Sequence, residues 1–199
     1  MTQSLPSTDR VRIERVETLS AGWGTLKQYG IAYRRRDGVE QRQSREVYDR
    51  GNGAVILLYD RQRGTIVLTR QFRLPALLGG HPDGMLLEAP AGLLDSDDPA
   101  TAIRREAEEE TGYRVTDVKE VFSAIMSPGS ETERLHFFSA EYSAADRVGA
   151  GGGHAGEGED IEVVEVTLQD ALAMIETGEI VDAKTIMLLY HAQVKGLLA

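Results

Sequence analysis

Two strongly apolar runs of strand length follow one another in the first half of the chain. They are Ala54-Val55-Ile56-Leu57-Leu58-Tyr59 and Thr65-Ile66-Val67-Leu68-Thr69, with a turn at Arg63-Gly64 between them. The pattern predicts further strands at residues 85–89, 120–124, 135–141 and 161–166, and helices at 98–112, 168–177 and 183–194. Because strands and helices are mixed with few compact βαβ repeats, we expect an α/β/α sandwich around a mixed sheet.

The first fifty residues read differently from the rest. Residues 1–10 are polar and are predicted to be disordered, whereas residues 11–50 read as short antiparallel strands with a hairpin signal at Asp37-Gly38. Three short strands bury little by themselves, so we expect this appendage to pack on another surface, for which a partner subunit is one candidate. The predicted boundaries are therefore 1–10, 11–50 and 51–199.

Charge and composition exclude several classes of protein. The 199 residues carry a net charge of −10, which opposes nucleic-acid binding, and they include no cysteine for disulfides or thiolate metal sites. The polar N-terminus and the lack of a membrane-length apolar run predict a cytoplasmic protein. A small phosphorylated substrate stays compatible with this charge if a divalent cation bridges the like charges.

An acidic run near the middle of the chain carries the functional argument. Asp98 and Pro99 predict a helix start, and Gly112 predicts its end. Glu106 and Glu110 are four residues apart and share one helix face, with Glu109 beside them. Such crowding is unfavourable unless a hard cation such as Mg²⁺ binds there.

The alternative is a solvated acidic face. Against it, the run Leu86–Gly92 leads into the helix through a short loop, and Gly112 follows the carboxylates directly. Ile103 and Ala107 also give the helix an apolar face, which we expect to lie opposite the acids.

These segments resemble the Nudix box, G-x5-E-x7-R-E-U-x-E-E-x-G-U, in which U is a bulky apolar residue. Two departures lie in its first half, where the loop after Gly92 is one residue short and Asp97 stands in place of Glu. The resemblance extends over about residues 11–190 and is greatest to the GDP-mannose pyrophosphatase subgroup. It rests on Arg45–Gly53, Arg70–Arg73, Ala91–Asp95, Met126–Gly129, His136–Phe138, Gly151–Gly153 and Thr177–Ile180.

The resemblance implies a metal site for Mg²⁺, with Mn²⁺ as an alternative. Its ligands would be Glu106, Glu110, the carbonyl of Ala91 and a loop acid, for which Glu159 is favoured over Glu157. Glu110 and Glu159 would be the catalytic residues, with Glu159 as general base, and Glu109 would act through a metal-bound water. Arg105 would either orient a carboxylate or form an ordinary surface pair with Glu109.

The resemblance also implies a set of substrate-binding residues. Within one subunit they would be Arg73, Ala91, Gly92, Leu93, Glu110, Glu133, Gly158, Glu159 and Lys184. The subgroup is dimeric through its N-terminal segment, so Trp23, Ser44, Arg45 and Glu46 would reach the neighbour's site. For Trp23, core packing is the alternative.

The implied activity is Mg²⁺-dependent hydrolysis of GDP-mannose to GMP and mannose 1-phosphate. Pyrophosphatases for ADP-ribose or another nucleotide sugar would share the same metal site, and a non-catalytic nucleotide-binding module is a third reading. The four histidines lack metal-ligand spacing, which disfavours a zinc hydrolase.

Overall fold

A computed structural model of the chain describes residues 6–94 and 96–198, with Glu157 described in its backbone alone. The chain forms two compact units. The first comprises the residues up to Asn52 together with Ile125–Arg134, and the second comprises Gly53–Ala124 together with the residues from Leu135 onward. The grouping of residues 125–134 with the N-terminal segment has no counterpart in the predicted boundaries.

The first unit contains an antiparallel sheet of three strands, β1 (Val11–Ala21), β2 (Thr25–Arg34) and β3 (Glu40–Asp49), in that spatial order. The predicted turn joins β2 to β3, where Gly38 has a φ of 84°. Residues 125–134 join this unit through the backbone of Tyr48, whose amide donates to the Ser130 carbonyl at 2.8 Å. Its carbonyl accepts from the Thr132 amide at 3.1 Å.

Few side chains of the first unit are buried. Ala32 is its one buried hydrophobic residue among those described, while Val16, Leu19 and Trp23 are exposed. The prediction of disorder covers residues 1–10, of which residues 1–5 lie outside the described residues. Beyond them, Arg10 donates a hydrogen bond from its guanidinium to the Tyr33 hydroxyl at 3.0 Å.

The second unit is built around a seven-stranded mixed sheet. Its central path runs β10 (Glu162–Thr167), β5 (Thr65–Phe72), β4 (Gly53–Asp60), β9 (Arg134–Glu141) and β8 (Lys119–Ile125). Two short strands complete it: β6 (Met85–Glu88) pairs with β5, and β7 (Ala91–Leu93) pairs with β4. The pairing of β4 with β9 is parallel, whereas β4 with β5 and β5 with β10 are antiparallel.

Strand β4 is buried along its whole length because both of its faces are covered. On one face Ile56 and Leu58 pack with Ile103 and Ala107 of helix α2 (Pro99–Thr111). On the other face Val55 pairs with Phe137, whose ring stacks against Phe122 at 4.5 Å. The Phe122 ring also contacts His191 of helix α4 (Ala183–Lys195), at 6.0 Å between centroids.

This arrangement confirms the predicted α/β/α sandwich around a mixed sheet. Two further helices complete the second unit, α1 (Leu74–Leu78) and α3 (Leu168–Thr177), and α3 ends at Gly178 as predicted. Strand β7 and helix α1 were not predicted, since three and five residues are too short for a periodic pattern. In the described part of the chain, no helix combines the length and the apolar character that crossing a bilayer needs.

Candidate active site

Helix α2 begins and ends where its sequence predicts. The Asp98 carboxylate accepts from the Thr101 amide at 3.1 Å, and Pro99 is the first helical residue. At the other end Gly112 has a φ of 76°, a left-handed conformation that only glycine adopts without a steric penalty. These two ends fix which face each carboxylate takes.

The expectation that the acids of α2 lie opposite its apolar residues was wrong for Glu110. Glu110 follows Ala107 by three residues and Ile103 by seven, so it falls on the packed side of the helix and is 2% exposed. Glu106 has 18% of its side chain exposed, and Glu109 has 32%. The solvated acidic face is therefore excluded for Glu110.

Burial raises the pKa of Glu110 to about 8, and the negative charges of Glu106 and Glu159 contribute to the same shift. The positive charge of Arg73 and a hydrogen bond from the Ala91 amide, 3.3 Å from Oε2, act in the opposite direction. A carboxylate in this position gains from any added cation.

Glu106 lies directly over strand β7. A Cβ at Gly92 would collide with its carboxyl group, so a larger residue there would displace the Glu106 side chain. Burial, followed by the charges of Glu109 and then Glu159, raises the pKa of Glu106, while Arg105 lowers it. Glu106 and Glu110 thus both reach β7, where Ala91, Gly92 and Leu93 pair with Val55, Ala54 and Gly53.

The glycine-rich loop is docked on the end of α2. The amides of Gly152 and Gly153 donate to the carbonyls of Glu110 and Glu109, at 2.9 and 3.1 Å. These carbonyls have no partner within the helix, because the last turn leaves its acceptors free. Gly151, Gly152 and Gly153 all have a positive φ, which explains three glycines in succession.

The docked loop brings Glu159 to the α2 carboxylates. Its carboxylate accepts from the His154 amide at 2.8 Å and lies against Gly153, where a Cβ would collide with it. Gly158, with a φ of 79°, ends the short 3-10 turn just before it. The choice of Glu159 over Glu157 as the loop acid stays a prediction.

Arg105 pairs differently from the surface pair considered above. Its guanidinium contacts Asp97 at 2.6 Å and Glu106 at 3.5 Å, and no contact with Glu109 occurs among the described residues. Asp97, which departs from the box pattern, is therefore the main partner of Arg105. Glu109 instead faces the His154 ring, at 3.5 Å from Nε2.

The two cations predicted to bind phosphate, Arg73 and Lys184, meet on one buried acid. Glu88 has 4% of its side chain exposed and accepts from Arg73 Nε at 2.7 Å. Its other carboxylate oxygen accepts from the Lys184 ammonium. Sequence reasoning missed Glu88, although one charged residue at the end of an apolar strand was a usable signal.

The remaining predicted residues lie in the first unit. The Trp23 side chain is exposed, which excludes the core-packing alternative, and the Arg50 guanidinium lies 5.7 Å from its ring centroid. Arg50 also pairs with Glu133 at 2.6 Å, and Glu133 has 7% of its side chain exposed. Ser44, Arg45 and Glu46 lie on β3, opposite Gly30, Tyr29 and Gln28.

A cavity of about 830 Å³ in the second unit lies elsewhere. It is bordered by residues 76–87 on one side and 178–183 on the other, with Arg70 at its edge. None of the predicted site residues lines this cavity, which is therefore separate from the carboxylates of α2.

The carboxylates fit a divalent cation in their chemistry. Glu106, Glu110 and Glu159 offer oxygen donors, which Mg²⁺ and Mn²⁺ prefer, and the negative charge of Glu159 helps to raise the pKa of both Glu106 and Glu110. Across the described residues, no three acidic or histidine side chains have the spacing of a finished metal site.

The class of this protein is defined by a helix with one buried and two partly exposed carboxylates, which lies under a glycine-rich acidic loop on an α/β/α sandwich. A family model described as the NUDIX domain matches residues 49–189, and the chain belongs to the Nudix family. A second model, described as the GDP-mannose pyrophosphatase NudK N-terminal domain, matches residues 10–48.

Full-length relatives agree with both models. A protein named GDP-mannose pyrophosphatase from Pectobacterium atrosepticum is 53% identical over 186 residues, which cover 94% of this chain and 95% of the relative. One of the same name from Yersinia enterocolitica is 54% identical over 190 residues, covering 94% and 98%. The predicted resemblance to this subgroup is thereby confirmed.

Proposed function

We propose that this chain hydrolyses the pyrophosphate bond of a nucleoside-diphosphate sugar, and that the substrate is GDP-mannose, split into GMP and mannose 1-phosphate. The observation that supports the proposal is the position of the α2 acids under the docked loop: Glu110 is buried, Glu106 packs against Gly92, and the loop that carries Glu159 is hydrogen-bonded to the end of the helix. The names of the relatives support the choice of sugar nucleotide.

Bound Mg²⁺, or Mn²⁺ in its place, would neutralise the diphosphate and acidify the attacking water. Glu106, Glu110 and the Ala91 carbonyl would hold the metal, and Glu109 would act through a water. Gly92, Leu93 and Gly158 would line the substrate with their backbone.

The chain's own acids would move the proton. Glu159 would accept it from the attacking water, since the loop holds this carboxylate beside the α2 acids. Arg73 would hold the diphosphate by its planar fork of donors, with Lys184 beside it. Arg73 and Lys184 both donate hydrogen bonds to Glu88, which keeps the two cations together.

We further propose that the enzyme works as a cytoplasmic homodimer. The exposed strands of the first unit offer apolar side chains, Val16 and Leu19 among them, that a second copy would cover. Trp23, Ser44, Arg45 and Glu46 would then reach the neighbour's site, where the Trp23 ring would stack on the base. Glu133 would contact the sugar or the base.

The test is a panel of GDP-mannose, ADP-ribose and UDP-glucose, each with Mg²⁺ and with a chelator. We expect the highest kcat/KM for GDP-mannose, products GMP and mannose 1-phosphate by phosphorus NMR, and complete loss with chelator. A preference for ADP-ribose would show that the chain is a Nudix pyrophosphatase with ADP-ribose, and not GDP-mannose, as its substrate. Inertness toward every diphosphate ester would leave a binding module as the function.

A further inference from the structure

We infer that Glu88 is a positioning residue, which acts through Arg73 and Lys184 to hold both cations in the geometry that binds the diphosphate. This inference rests on the proposed function. It adds a residue that neither the box pattern nor the chemistry of the metal ligands assigns.

The first step is the way Glu88 divides its two oxygens. Oε2 accepts from Arg73 Nε at 2.7 Å, and Oε1 accepts from the Lys184 ammonium. One carboxylate therefore spans two cations that are 111 positions apart in the chain, counting from 73 to 184. Moving either cation breaks a charge-assisted hydrogen bond to a nearly buried acid, which is costly.

The second step is the choice of donor on Arg73. The bond to Glu88 uses Nε, and across residues 6–94 and 96–198 neither terminal amino group of Arg73 has a hydrogen-bond partner. An arginine anchored through Nε keeps both terminal groups for a phosphate, in a fixed orientation. The side chain is 40% exposed, so a ligand can reach it.

The third step concerns Lys184. Its ammonium donates a hydrogen bond to Glu88 and forms an ion pair with Asp182, 3.0 Å from Oδ1. Asp182 is itself fixed, because it caps α4 and accepts from the Thr185 amide at 2.9 Å. The two acids therefore hold the ammonium in place, and its remaining N–H donors stay for the substrate.

The charge of Glu88 distinguishes a positioning role from a purely electrostatic one, because the two predict opposite changes in kcat/KM when Glu88 is neutralised. Glu88 is negative, so its removal makes the site more positive and would by attraction alone improve binding of an anionic substrate. A positioning role predicts the reverse. We expect Glu88→Gln to lower kcat/KM on the order of 10- to 100-fold, with a fall in kcat larger than any change in KM.

Glu165→Gln is the matched control. Glu165 is also an acid of the second unit that bridges two side chains, Arg63 at 2.7 Å and Tyr142 at 2.8 Å, but it has no place in the proposed site. We expect this variant to lose thermal stability and to keep wild-type kcat and KM. Glu88→Asp is the second variant, since it keeps the charge and the fold while its shorter side chain can no longer span both cations.

The deciding measurement is a pair of double-mutant cycles, Glu88→Gln with Arg73→Lys and Glu88→Gln with Lys184→Gln, each followed by kcat/KM for GDP-mannose. We expect the effect of Glu88→Gln to shrink at least several-fold in each second background. Additive effects in either cycle, or wild-type kinetics in both Glu88 variants, overturn the inference. Inactivity of the wild-type enzyme would instead overturn the proposed function.

Discussion

The amide of Gly152 donates a hydrogen bond of 2.9 Å to the carbonyl of Glu110. The main chain of the loop that carries Glu159 is thus fastened to the main chain of the helix that carries Glu110. The proposed base and the buried acid are therefore set relative to each other by backbone geometry.

The first prediction concerns Gly153. A methyl group there would collide with the Glu159 carboxylate, and a φ of 73° strains any other residue. We expect Gly153→Ala to lower kcat on the order of 10- to 100-fold, because it displaces the proposed base. Steady-state kinetics and melting temperature are measured together.

Gly156→Ala is the control for that prediction, since it changes the same loop at a position with open space around it. It should leave kcat within about twofold, as expected for surface substitutions. Equal effects of the two substitutions would show that the docked position of Glu159 does not matter for turnover.

The second prediction concerns the pH dependence of stability in the metal-free protein. Burial raises the pKa of Glu110 from its ordinary 4.5 to about 8 in the folded chain. The folded state therefore binds this proton more tightly than the unfolded state. The contribution is fully present below pH 4.5 and is lost as the pH rises through 8.

Across this pH range the loss amounts to at most about 5 kcal/mol of unfolding free energy. Urea denaturation at several pH values with chelator should show this loss in the wild type. Glu110→Gln should show a flatter profile and a higher stability at pH 8, together with loss of turnover. A variant that is folded, and still turns over at close to the wild-type rate, would contradict the assigned role.

The third prediction is that Mg²⁺ stabilises the enzyme more strongly at pH 8 than at pH 6. A cation must displace the proton held by Glu110, so the apparent affinity should rise roughly tenfold per pH unit across this range. The shift in melting temperature against Mg²⁺ concentration measures it.

Glu108→Gln is the matched control for the metal response. Glu108 is on the same helix but pairs with Arg114 at 2.7 Å on the exposed side. It should keep the full Mg²⁺ effect, which Glu110→Gln should abolish. A metal response that is independent of pH would indicate that Glu110 is not a ligand.

The fourth prediction tests the shared site. Trp23→Ala should raise KM for GDP-mannose without lowering stability, because the ring is exposed. If Trp23 serves the neighbour, mixed subunits of Trp23→Ala and Glu110→Gln should form heterodimers with one intact site. Recovery of low-KM activity on mixing is the expected result, and a simple average of the two variants would place Trp23 in its own subunit's site.

Most of the fold was predictable from local signals. The apolar runs at β4 and β5, the cap at Asp98 and the glycines at 112 and 178 act over a few residues, so their effect is visible in the sequence. Strand β7 was missed because its three residues gain their structure from pairing with β4, a long-range effect.

The residues of the site were largely predictable from the sequence, whereas the partners that their side chains contact were not. The spacing of the box predicts Glu106 and Glu110 as site residues. It does not predict the burial of Glu110, because that depends on which face of α2 packs against the sheet. The contact of Glu88 with Lys184 crosses from β6 to α4, and no local spacing encodes it. The Arg105–Asp97 pair likewise needed the folded loop.

The amides of Gly152 and Gly153 bind carbonyl groups that every residue type possesses, so these two hydrogen bonds do not depend on which side chains occupy positions 109 and 110. The catalytic side chains and the backbone hydrogen bonds that hold the loop can therefore change independently. A descendant could exchange either glutamate, lose turnover, and still keep the loop bound to the end of α2. In this scaffold a retained shape is therefore poor evidence of retained catalysis.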